Sequence, residues 1–127
     1  MKKYYPVIFT KEDVGFSAIV PDLDGCFSEG DTFEETYQNV QDAIGLYVEG
    51  ADAFPLASDP EVVSRQAAED QFVCIVEFDD LEYRKKHSAK SVKKTLTLPE
   101  WLNIAAKEQH VNFSKVLQDA LKAQLNL

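Results

Sequence analysis

The stretch Ser91-Val92-Lys93-Lys94-Thr95-Leu96-Thr97-Leu98-Pro99 decides how the rest of this 127-residue chain is read. Residues 91–98 alternate as a strand does, and Pro99 opens the first of two short amphipathic helices. That helix runs to about Gln109, with Trp101, Leu102, Ala105 and Ala106 as its apolar positions. His110-Val111 makes a turn, and Asn112 caps a second helix carrying Phe113, Val116, Leu117, Ala120, Leu121 and Leu125 on one stripe. Residues 92–127 are too few to complete a core alone: segments under about 40 residues without disulfides or metal usually need another chain. A second copy is the expected source.

Period-2 alternation puts Leu96 and Leu98 on one face of the tail strand and Lys93, Thr95 and Thr97 on the other. The leucines continue into the apolar stripe of the helices, which leaves the Lys/Thr face free. Two such strands paired about a two-fold axis make a ribbon that fits the DNA major groove. Threonine can donate, accept and touch a thymine methyl, and lysine can reach guanine or phosphate. A plain dimerisation ribbon is the competing reading. Lys90, Lys94 and the run Arg84-Lys85-Lys86 supply phosphate-neutralising charge nearby and favour DNA.

The segment KKTLTLPEWLNIAAKEQHVNFSKVLQDALKAQL, residues 93–125, resembles a ribbon-helix-helix domain, the group that includes the MetJ and Arc repressors. The resemblance implies base reading by Lys93, Thr95 and Thr97. It also implies a phosphate held at the start of the second helix by Asn112, Phe113 and Ser114, with Lys90 and Lys94 as further phosphate contacts. A helix N-terminus suits an anion by geometry and dipole.

Charge divides the chain in two. Residues 1–80 hold 4 Lys/Arg against 18 Asp/Glu, a net of −14, whereas residues 81–127 hold 9 against 4, a net of +5. Such asymmetry implies two kinds of partner. Cys26 and Cys74 have neither CxxC spacing nor a nearby histidine, so both are expected to be reduced and buried. The longest apolar runs fall far short of the roughly 20 residues that span a bilayer, and Met1-Lys2-Lys3-Tyr4 opens no signal peptide. A cytoplasmic location without membrane contact is expected.

In the acidic half, Tyr4–Thr10, Phe16–Val20 and Cys26–Glu29 read as strands separated by turns. Thr32 and Glu35 form a capping box, after which Phe33, Tyr37, Val40, Ile44, Tyr47 and Val48 recur at helical spacing up to Gly50. Asp59-Pro60 starts a short helix, and Gln71–Phe78 reads as a buried strand. The expected fold class is α+β: a three- to four-stranded antiparallel sheet covered by a helix, then the ribbon-helix-helix. The expected divisions are residues 1–80, a polar and basic linker at 81–91 with partly helical character, and residues 92–127.

Residues 4–50 resemble the HicB antitoxin family, with Pro21, Asp22, Leu23, Gly25 and Cys26 matching its P-D-L-x-G-C pattern and Gly30, Asp31 and Thr32 its G-D-T turn. The resemblance implies a partial RNase H-like module that masks a small basic HicA toxin, an mRNA-cleaving protein. The C-terminal module would repress the operon at operator DNA, as a homodimer or a tetramer. The −14 module is what a cationic RNA-binding surface should attract. The residues touching the toxin stay open, with exposed acids of the first helix and early turns favoured.

Two rivals differ in kind. One is a transcriptional repressor whose N-terminal module senses a small ligand. The other is a weak metal-dependent nuclease using Asp22 and Asp24, but turn formation explains those two and capping explains Glu35, so catalysis is not expected. No cofactor or metal is expected, and neither His87 nor His110 has ligand neighbours in sequence.

Overall fold

A computed structural model describes residues 2–88 and 90–127. The chain divides into two compact units, Met1–Lys90 and Ser91–Leu127. The fold is α+β.

The first unit is built on β1 (Lys2–Lys11), β2 (Phe16–Ile19), β3 (Phe27–Gly30) and β4 (Gln71–Asp79). They form one antiparallel sheet in the order β3-β2-β1-β4. Helix α1 (Phe33–Glu49) packs against β2, β3 and β4, and α2 (Pro60–Gln66) against β1 and β4. Strand alternation sends Tyr5, Val7 and Phe9 of β1 and Val76 and Phe78 of β4 into the core with Ala18, Val40 and Ile44. Each fully buried large apolar side chain here contributes about 1.5–3 kcal/mol. Phe9, Phe33 and Phe72 stack at one end, with ring centroids 5.0–5.9 Å apart, and pin the first turn of α1 to the sheet.

Local sequence rules account for the elements. The Thr32 hydroxyl accepts from the Glu35 N–H at 3.1 Å, and the Glu35 carboxylate reaches the N–H of Asp31 rather than that of Thr32. Asp59 caps α2 with Pro60 at its first position. Pro6 is a proline inside a central strand, which normally costs a ladder bond. The Glu77 N–H donates to the Tyr37 hydroxyl and its carbonyl accepts from Gln41, so Glu77 points away from β1. Alternation then turns Ile75 away as well, and its partner Pro6 aims its nitrogen towards β2. There β2 has already ended, since Ile19 pairs with Ile8. No bond is lost.

Two expectations change. Residues 81–91, read as a linker, are in large part helix α3 (Asp80–His87), capped by Asp79. This helix belongs to the first unit through the Tyr83 ring, which lies 5.8 Å from that of Phe78. Residues 91–98, read as a strand, lie in neither helix nor sheet within the single chain, because a ladder needs a second strand to exist. Cys26 is buried as expected, whereas Cys74 is only half-buried; both are free thiols, and burial raises the pKa of each. In the second unit, α4 (Glu100–Glu108) and α5 (Phe113–Leu125) form where the apolar periodicity placed them.

Candidate functional site

The second unit contains no buried side chain in α4 or α5. Leu96 is 56% exposed, Trp101 70% and Leu121 50%; most of the apolar stripe is exposed with them, with Ala106 and Leu117 half-buried. These helices have strong amphipathic patterns but no core of their own. Burial of that stripe is the largest stabilisation still available to this segment.

Lys93, Thr95 and Thr97 sit at alternate, exposed positions directly before α4, and Lys90 and Lys94 are exposed too. One chain brings them into no common ladder. At the start of α5, the Asn112 side chain accepts from the N–H of Lys115 at 3.1 Å. The N–H groups of Phe113 and Ser114 are the first two of that helix and have no intrahelical acceptor. They lie on the exposed end and remain available to an anion. The basic run of α3 is differently employed: Arg84 pairs with Asp80 at 3.1 Å, Lys85 with Glu82 at 3.0 Å and Lys86 with Asp42 at 3.5 Å.

In the first unit the Asp22 carboxylate accepts from the backbone N–H of Ser58 at 2.8 Å and from its hydroxyl. Asp22 thus ties the β2–β3 turn to the segment leading into α2, a structural task that neither metal nor substrate is needed to explain. Among the described residues, no group of three or more His, Cys, Asp and Glu side chains is placed to hold a metal ion. Of the acids on α1, Glu35 is engaged in capping, and Asp42 faces Lys86 and the His87 ring at 3.3 Å. Glu34 and Glu49 remain exposed.

The sheet's outer face holds a feature the sequence reading did not single out. Register places Phe27, Ile19, Ile8 and Val73 in one transverse row across all four strands. The next row is polar, Glu29, Ser17, Thr10 and Gln71. On the other side Pro6 is fully buried, and Val63 of α2 with it. The β2–β3 half stays bare: Phe27 is 72% exposed and Ile19 49%. Alternation within each strand could have put Ile8, Ile19 and Phe27 opposite the core, but only the pairing register lines them up.

Among the described residues no helix is long and apolar enough to cross a membrane. Comparison with known proteins places the chain in a family. A UPF0150 protein of Synechocystis sp. is 54% identical over 46 residues, which is 35% of this chain and 58% of that relative's length. The crystal structure of the antitoxin HicB3 superposes with a TM-score of 0.51 at 29% identity, covering 96% of this chain and 97% of that one. A chain of the HicA3 and HicB3 toxin-antitoxin complex gives a TM-score of 0.53 at 28% identity, over 61% of this chain and 99% of that one. The family model described as the HicB-like antitoxin of bacterial toxin-antitoxin systems matches residues 4–121, nearly the whole chain, and the protein belongs to that family.

Proposed function

We propose that this chain is the antitoxin of a type II toxin-antitoxin system, acting by binding and not by catalysis, in the cytoplasm. Its first unit sequesters a small basic, mRNA-cleaving, HicA-like toxin. Its tail pairs with that of a second copy and represses the operon at operator DNA. Family membership and a solved neighbour described as a HicA3–HicB3 toxin-antitoxin complex support the first half. The −14 charge of residues 1–80 agrees, because electrostatic steering brings a cationic partner quickly to an acidic surface.

The observation that carries the second half is the tail's exposed stripe. A segment with two well-formed helices and no buried side chain is half of a shared core. Pairing residues 91–98 of two copies antiparallel supplies the missing ladder and sets Lys93, Thr95 and Thr97 of each on one outward face. Phe113 and Ser114 then offer backbone donors to the flanking phosphates, with Asn112 holding the turn and Lys90 and Lys94 adding charge. The acidic unit is repelled by the duplex and the basic tail is drawn to it, which orients the molecule on DNA.

Co-expression with the product of the adjacent reading frame tests the reading. A stable complex that also shifts upstream operator DNA is the expected result. A chain that captures neither the neighbour nor the operator would overturn it.

A further inference from the structure

We propose that the bare β2–β3 half of the outer sheet face is the surface on which the cationic toxin docks, with Phe27 and Ile19 as its apolar anchors. This rests on the antitoxin reading above and assigns it a place. Isolated surface apolar residues need no explanation, but Ile19 and Phe27 stand side by side and exposed at the end of an apolar row that continues through the half-buried Ile8 and Val73. Here Ile8, Ile19 and Phe27 of the row line a groove of about 390 Å³. Helix α2 packs against β1 and β4, the other half of the sheet.

Charge selects the occupant. Glu29 stands in the adjoining row beside Ser17, whose hydroxyl donates to the Glu12 carboxylate at 2.7 Å. A second copy docking through the same face would bring these carboxylates against their own images. A cationic partner instead finds apolar anchors edged by acids, the arrangement of an interface with a hydrophobic centre and a polar rim. Strand addition at β3 would have to displace a side chain. Glu29 and Phe27 direct their backbone groups to the free edge, but Asn39 of α1 already donates to the Glu29 carbonyl at 2.8 Å. Docking on the face needs no such displacement.

The test uses the full chain and the toxin encoded beside it, with affinity read by calorimetry or competition. Ile19→Thr and Phe27→Thr keep β-propensity and lie on the surface, so both variants retain the wild-type melting temperature and operator shift. Each is expected to weaken toxin binding at least tenfold. Glu29→Lys weakens it as well, most at low salt. Toxin bound by wild type and by both threonine variants within twofold would overturn the docking face and leave the antitoxin reading standing. A wild-type chain that binds no toxin overturns that reading and this one together. Variants that lower the subunit number in the absence of toxin would show that the face joins copies of the chain, which also overturns the proposal.

Discussion

Gly45 of α1 and Tyr83 of α3 occupy one another's space: a Cβ at position 45 would lie 2.2 Å from the Tyr83 Cε2. The bare backbone of Gly45, buried in mid-helix, gives the Tyr83 ring its seat beside Phe78. This contact, with the Asp42 pairs to Lys86 and His87, holds α3 to the acidic unit just ahead of the tail.

Gly45→Ala reads out that seat. In an ordinary helix interior the change would stabilise by about 1 kcal/mol. Here overpacking costs about 1–3 kcal/mol, so the variant should lose stability or merely break even, and α3 amides should lose hydrogen-exchange protection. Adding Tyr83→Ala should restore the ordinary helix gain relative to Tyr83→Ala alone. A single variant that melts higher than wild type with α3 still protected would show that the ring is not confined.

The shared tail core is probed by Leu121→Glu. Burial of a leucine is worth about 2 kcal/mol per subunit, and two copies lose it together, roughly a thousandfold in dimer affinity. Sedimentation should show single subunits at micromolar concentration, operator shift should vanish, and the melting of the first unit should be unchanged. An intact dimer would mean that the stripe is covered in some other way.

Base reading is separable from dimerisation. Thr95→Ala and Lys93→Ala each remove an outward side chain and leave the leucine face whole. Each should raise the operator dissociation constant at least tenfold, since a good base contact is worth about 1–3 kcal/mol. Where a lysine meets phosphate instead, its loss should lower the salt slope by about 0.9 per contact. Unchanged operator affinity with both variants would remove the strand as reader.

How far the chain could be read from its letters follows from where each stabilisation originates. Thr32, Glu35 and the stripe from Phe33 to Val48 carry α1 locally, and the alternation around Tyr5, Val7 and Phe9 carries β1, so both were legible. Helix α3 was legible only as a partly helical linker, because it has no apolar stripe; one aromatic, a glycine thirty-eight residues earlier and exposed ion pairs hold it. Asp22 looked like a turn residue because its partner Ser58 is distant in sequence. The tail strand was legible as a pattern yet forms no ladder in one chain, since its hydrogen-bond partner is another copy's to give. The row from Phe27 to Val73 depends on three pairing registers, none of which a single strand encodes.

Alkaline titration offers a check on the core. The Tyr5 hydroxyl donates to the Pro55 carbonyl at 2.8 Å, and burial first, then the nearby Asp22 charge, raises its pKa above the ordinary 10.0. Between pH 10 and that raised value the unfolded chain releases the proton while the folded one keeps it, so stability falls as pH rises. Below pH 10 both states are protonated and the contribution is fully present. Tyr5→Phe should cost about 1 kcal/mol at pH 7 for the lost hydrogen bond. Its urea midpoint should then decline less steeply than that of wild type above pH 10, and the gap between the two should close. A gap that stays constant from pH 8 to pH 11 would mean that the phenol ionises as freely in the folded chain as in the unfolded one.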